Sequence, residues 1–217
     1  MTKLFVLSLS LSTLLTLGCS PEAVESSLLD STISKIQSGA NAPQQSGSSA
    51  SPLAEKTVGS ILLRPAKLLD GELELLVPAG FLQMDESTIR LKYPNESPPT
   101  IVLSNDTASV NVAINQTGTP VAPHQLSQVH QQLDAAIRQS QPEISWKFNG
   151  FQTHHGRKWI QLEFRSQAVD TQIYNMIMAT SANGKMLVVS FNCTESQSLQ
   201  WLDVGREIIN SCRVHGR

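Results

Sequence analysis

Cys19 is the residue of this chain whose type and setting point most directly to a reaction. It closes the stretch Leu15-Thr16-Leu17-Gly18-Cys19, behind Lys3 and an apolar run from Leu4 to Leu17. A small residue directly before a cysteine, after such a run, is the spacing of a bacterial lipobox. In that chemistry the thiol is acylated, the peptide bond between Gly18 and Cys19 is cut, and the new amino terminus carries fatty acyl chains such as palmitate. Thr16, where leucine is usual, is the one departure. The apolar run, about 14 residues, falls short of the roughly 20 needed for a spanning helix. An ordinary small-x-small secretory site fits loosely, with Leu17 in the middle, and leaves the cysteine a coincidence. Each buried methylene contributes roughly 0.8 kcal/mol, and stable anchoring takes more than one chain. The two or three chains of a bacterial lipoprotein therefore hold durably. Ser20, where aspartate would signal inner-membrane retention, directs the expectation to the outer membrane, facing the periplasm.

Other groups able to do chemistry are scattered. His154 and His155 are adjacent, so on a strand they point to opposite faces. His124 and His130 lie six apart, which on a helix puts them about 240° around from each other. His215 is in the tail, and no cysteine or acidic partner has zinc-like spacing to any of the five. No metal site is expected. There is no Gly-x-Ser-x-Gly elbow, no phosphate-binding or dinucleotide-binding glycine run, and no cysteine set beside a base. The sequence gives no reason to expect an enzyme or a cofactor. Asp85 and Glu86 read as first-turn charges that favour a helix dipole. Lys plus Arg is 16 and Asp plus Glu is 18, so no basic field exists to gather nucleic acid.

Cys193 and Cys212 remain once Cys19 is lipidated, and an oxidising compartment would let two thiols pair. A helix predicted between them opposes this. At 1.5 Å per residue, about 15 helical residues hold their ends roughly 22 Å apart, whereas a disulfide needs Cα atoms within about 7 Å. Both thiols are expected free.

The elements that position these groups follow from periodicity. Residues 1–18 are the expected signal peptide, 19–56 a tether, and 57–217 a single domain. Within the tether, Val24, Leu28, Leu29, Ile33 and Ile36 recur at helical spacing, so a short helix is predicted over 21–37. The uncharged, Ser- and Gly-rich run 38–52 has nothing to bury. From Leu62 the chain turns to short alternating runs. Glu72–Val77 sends Leu73, Leu75 and Val77 to one face, and Asp85–Lys92 reads as a helical turn or two. Residues 100–103 and 109–114 form a predicted hairpin about Asn105-Asp106. Pro123 opens a helix with Leu126, Val129, Leu133 and Ile137 on one stripe, stopped by Pro142. Ile144, Trp146 and Phe148 alternate with polar residues, as do Ile160, Leu162 and Phe164 beyond a turn at His155-Gly156. Residues 173–180 and 186–193 are apolar on nearly both faces and joined by Asn183-Gly184, a tight-turn pair. Strands of that kind belong at the centre of a sheet covered on both faces. A final helix over 195–211 is expected to turn Leu199, Leu202, Ile208 and Ile209 inward. The fold class is thus α+β: an α/β/α sandwich, an antiparallel-rich sheet of six or seven strands with helices on both faces.

The run Arg64-Pro-Ala-Lys-Leu-Leu-Asp-Gly-Glu-Leu-Glu-Leu-Leu-Val-Pro-Ala79 resembles the start of the DcrB-like family of the Mog1/PsbP-like fold. Leu69-Asp70-Gly71 and Val77-Pro78 are the sharpest pieces. The likeness continues through the long helix, the Gly156-Arg157-Lys158 strand entry, the Asn183-Gly184 hairpin and the last helix, over residues 62–214. It implies a lipid-anchored bacterial envelope protein whose domain docks, without catalysis, on another envelope protein. It brings no catalytic motif, so it assigns no functional residue. A domain that binds a small ligand or lipid is the alternative, and it requires an apolar pocket between sheet and helix.

Overall fold

A computed structural model of the chain describes residues 52–94, 97–168 and 171–216. Gly18 and Cys19, the leader, the predicted 21–37 helix and nearly all of the tether lie outside the described residues. The chain opens with β1 (Lys56–Val58), β2 (Ile61–Leu68), β3 (Leu73–Pro78) and β4 (Leu82–Gln83). Next come α1 (Glu86–Lys92), β5 (Ile101–Ser104) and β6 (Val110–Pro120). A 3-10 turn at Pro123–Gln125 leads into α2 (Leu126–Ser140). Four long strands follow: β7 (Ser145–His154), β8 (Arg157–Gln167), β9 (Gln172–Ala182) and β10 (Lys185–Thr194). Another 3-10 turn at Glu195–Gln197, α3 (Ser198–Asn210) and β11 (Arg213–Val214) end it.

The main sheet has seven strands in the order β4-β5-β6-β10-β9-β8-β7, with every neighbouring pair antiparallel. The two runs apolar on both faces, β9 and β10, lie at its middle. Tight turns build the long hairpins. His155 and Gly156 have φ of 50° and 74°, and Asn183 and Gly184 have 50° and 75°. Two consecutive positive values are the geometry whose twist matches paired strands, and Asn-Gly tolerates it best. In α1, Asp85 caps the helix through Thr88 N and through the Ser87 and Thr88 hydroxyls. Those bonds, Ser87's first, hold its carboxyl well below the usual carboxylate range.

Helices cover both faces, as the apolar patterns require. On one face Leu126, Val129, Leu133 and Ile137 of α2 pack on Ile160, Leu162, Phe164, Ala179 and Met186. Ile89 and Tyr93 at α1 pack against Val102 and Ala113, which strand alternation places on this same face. On the other face, Trp201, Val204, Ile208 and Ile209 of α3 join Val110, Val112, Ile114, Leu187, Val189, Phe191 and Cys193. Gly205 sits at the closest approach. A Cβ built there would overlap the Phe191 ring.

Three local expectations are corrected. Residues 72–77 do not belong to the main sheet with one face buried. β3 lies in a second, four-stranded sheet, order β1-β2-β3-β11, and all six of its residues are buried, including Glu74. Its leucines join the α3-side core, so Leu76 is enclosed along with Leu73, Leu75 and Val77. Leu199 does not face inward but is 94% exposed, and Trp201 is buried instead. Nine residues separate Leu199 from Ile208, and at 100° per residue that is half a turn. The alternation of Trp146 with Phe148 also breaks. A bulge between them pairs Trp146 with Phe164 but Phe148 with Glu163, and an extra residue sends the two rings to opposite faces. Cys193 and Cys212 are both free and fully buried.

Candidate functional site

The histidines are not gathered. His124 is exposed in the turn before α2, His155 is in a hairpin turn, and His154 ends β7. His215 lies 3.3 Å from the Glu74 carboxylate. Among the described residues no group of three His, Cys, Asp or Glu is placed to hold a metal ion, and no helix is long and apolar enough to cross a membrane.

His130 belongs to a network that spacing foreshadows. His130, Asp134 and Arg138 succeed one another at four-residue intervals on α2, so they share one helical face. That face meets β7. Asn149 Nδ2 donates to Asp134 Oδ1, Asn149 Oδ1 contacts His130 Nε2, and Arg138 Nε donates to both Asp134 oxygens. Arg138 and Asn149 hold the Asp134 carboxyl below the usual range, Arg138 contributing more. His130 also packs on the Phe151 ring at 5.0 Å, Lys158 lies 4.0 Å over that ring, and the Arg138 guanidinium lies 5.2 Å from the Trp146 ring. Of His130, Asp134, Arg138 and Asn149, only His130 stands out in the sequence, as one of five scattered histidines. The four-residue spacing is the signal that could have revealed Asp134 and Arg138, whereas Asn149 reaches the helix only through the strand pairing.

The network braces β7, which among the described residues is the outer strand of the main sheet, with β8 on one side only. It is ten residues long, whereas the opposite edge, β4, has two. β7 and β8 carry Lys147, Arg157, Lys158 and Arg165 against Glu163, but Arg157 donates to Ser181 O and Arg165 lies over the Tyr174 ring, both on β9, so Lys147 and Lys158 are the cations beside the edge. Glu163 is itself engaged by Arg206 at 2.9 Å. A long strand edge with fixed side chains presents backbone groups to which an extended segment can add.

A second polar cluster lies between α1 and β6. The half-buried Lys92 ammonium donates to Ala108 O at 2.5 Å and Asn111 Oδ1 at 2.9 Å, and Asn111 Nδ2 donates to Asn192 Oδ1 at 2.9 Å. Both acceptors of the lysine are neutral. Burial pushes the Lys92 amine down to about 8 and holds the neighbouring Tyr93 phenol well above its ordinary value. The lysine ties the end of α1 to the turn in which Ala108 has a positive φ of 53°. Its geometry is that of a clamp.

These groups and the two thiols set an alkaline response. Burial pushes both Cys193 and Cys212 up to about 12 from 9.0. The folded chain holds those protons longer than the unfolded chain, so stability is lost as pH rises from 9 toward 12. Lys92 acts oppositely. Its lowered value means that stability rises from pH 8 toward 10.5, while Tyr93 adds a loss above 10. A urea midpoint that climbs slightly between pH 8 and 9 and then falls through pH 11 is expected. In a Cys193→Ala/Cys212→Ala variant the fall becomes shallower. A midpoint that stays level from pH 9 to 11 would contradict the burial of these thiols.

Neither a family model nor a curated protein matches the chain. Among solved structures it is similar to cyanobacterial PsbP from Synechocystis, with a TM-score of 0.54 and 13% identity over 70% of this chain and 92% of that one. It is also similar to the Ran-binding protein Mog1p of Saccharomyces cerevisiae, at 0.48 and 14% over 72% and 97%. A further similar structure is LpqN, involved in cell envelope biogenesis of Mycobacterium tuberculosis, at 0.47 and 16% over 70% and 90%. The likeness to PsbP shows the fold: a seven-stranded antiparallel sheet with helices on both faces, the Mog1/PsbP-like architecture.

Proposed function

We propose that this chain is a lipid-anchored envelope protein of the DcrB-like kind, whose single domain, residues 57–217, is a non-catalytic docking module facing the periplasm from the outer membrane. The observation that carries this reading is the filled layer between α3 and the main sheet. At Gly205 the helix lies so close to Phe191 that a methyl group finds no space. Phe191, Ile208 and Cys212 around it are fully buried. On the other face Ile137, Ile160, Leu162 and Phe164 are equally enclosed. A small ligand or lipid needs an apolar pocket between sheet and helix, and these positions are occupied by the chain's own side chains. Recognition then falls to the surface, and the lipobox spacing at Cys19 supplies the anchor.

Affinity capture from detergent-solubilised membranes, with the full chain as bait, tests this reading. A defined envelope protein recovered in near-stoichiometric amount is expected. Recovery of a bound small molecule or lipid in stoichiometric amount, with no protein partner, would replace the docking reading by the ligand-binding one.

A further inference from the structure

We infer that the outer edge of β7 is the docking site itself, and that it receives an extended, acidic segment of the partner as an added strand. This inference rests on the docking reading and names its chemistry. In a hairpin with a two-residue turn, the residues flanking the turn form a hydrogen-bonded pair, and pairs then alternate along the ladder. His154 and Arg157 flank the His155-Gly156 turn and are paired. Gln152 with Trp159 and Gly150 with Gln161 are therefore the next bonded pairs. The N–H and C=O groups of Thr153, Phe151 and Asn149 point the other way, outward from the sheet. The neighbouring ladder agrees. By the same alternation from the Asn183-Gly184 turn, Ala179 turns its groups away from β10 and toward β8, where it faces Ile160, the partner of Phe151. No described strand lies beyond β7.

Asn149, Phe151 and Thr153 thus offer a short strand's worth of unpaired backbone groups, about five residues or 17 Å of edge. Side chains stiffen this stretch. Asn149 is held by His130 and Asp134, and Phe151 lies between His130 and Lys158. On the reverse face the Phe148 ring covers Gly150, its Cζ standing 3.6 Å from where a Cβ would be. An edge ordered before contact loses less entropy on binding. Main-chain bonding gives affinity without specifying a partner, and the surrounding charge adds the specificity. Lys147 on β7 and Lys158 over the Phe151 ring flank the edge, while Arg157 and Arg165 of β8 are turned to Ser181 O and to the Tyr174 ring on β9, and the carboxylates of Asp134 and Glu163 are engaged by Arg138 and Arg206. Two copies of this edge would bring like charges together, which disfavours self-pairing and favours an acidic strand.

Nuclear magnetic resonance of the 15N-labelled full chain in detergent micelles tests this inference. The probes are two peptides of about eight residues, one alternating Glu with Val and Thr, the other carrying Lys in place of Glu. The acidic peptide is expected to slow amide exchange at Asn149, Phe151 and Thr153, and to bind at least tenfold more tightly than the basic one. Thr153→Pro removes an outward N–H and leaves the inward ladder intact, so the Gly150 and Gln152 amides stay protected while peptide binding is lost. Lys147→Glu/Lys158→Glu, which leaves the backbone untouched, is expected to reduce or invert the preference between the two peptides. Unchanged exchange at the three amides, or equal protection by both peptides, overturns the inference. Protection that appears on raising protein concentration alone also overturns it, in favour of a second copy. Capture with the Thr153→Pro chain separates the two readings: a partner recovered as well as by the unaltered chain leaves docking standing and removes the edge from it.

Discussion

Gly205→Ala is expected to lower the stability of the domain by about 2 kcal/mol. Two effects oppose each other. Alanine is about 1 kcal/mol better than glycine inside a helix, and on an exposed position this substitution would stabilise. Overpacking of a filled core costs about 1–3 kcal/mol and at times more. Here the added methyl overlaps three carbons of one aromatic ring rather than the tip of a flexible chain. That ring, Phe191, is fully buried on the central strand β10, so it has little space to turn into. Strain at the upper end of the range therefore wins over propensity. Phe191→Leu supplies the missing room, and the double variant is expected to lose less than the two single variants together. Urea denaturation of the four proteins checks this. A Gly205→Ala domain as stable as the parent would show that the helix does not lie on the sheet at this distance.

Cys19→Ala is expected to abolish fatty-acid incorporation altogether and to leave residues 1–18 attached or release the chain from the membrane fraction. On the lipoprotein reading the effect is all or none, because the Cys19 thiol is then the acyl acceptor and the apolar run from Leu4 to Leu17 is too short to replace it as a span. Cys193 and Cys212 offer no second site, since both are fully buried and protonated at neutral pH. Growth with radiolabelled palmitate followed by fractionation decides the matter. A variant that still takes up label and stays with the membranes overturns the lipoprotein reading.

Much of the layering was legible in residue types. The stripe Leu126, Val129, Leu133 and Ile137 can lie on only one face of a helix, and all four are buried. Asn183-Gly184 between two apolar runs leaves few alternatives to a tight turn, and both residues have positive φ. What escaped is what depends on partners distant in sequence. Glu72–Val77 alternates as a half-exposed strand does, yet β3 is enclosed because α3 and the main sheet meet around it. Leu199 looks like a core residue by type, and only its angle relative to Ile208 reveals that it faces water. The bulge after Trp146 has no composition of its own; it is known from the pairing with β8. The edge of β7 was hidden for the same reason, since position in a sheet is a property of the whole order of strands.

The last residues of the chain finish what the first strands begin. Ser211 Oγ accepts from Leu76 N at 2.8 Å, across 135 positions of sequence, and passes its own hydrogen to Ile208 O. Arg213 and Val214 then pair with Glu74 and Leu73, and His215 N donates to Glu72 O at 2.8 Å. The β2–β3 hairpin can close early from local contacts, but one side of β3 waits for partners made at the end of synthesis. Closing so long a loop is entropically slow. In a chain made from its amino terminus onward this leucine-rich hairpin therefore stays half-satisfied until the final residues emerge, and the time to completion is set by the carboxyl terminus.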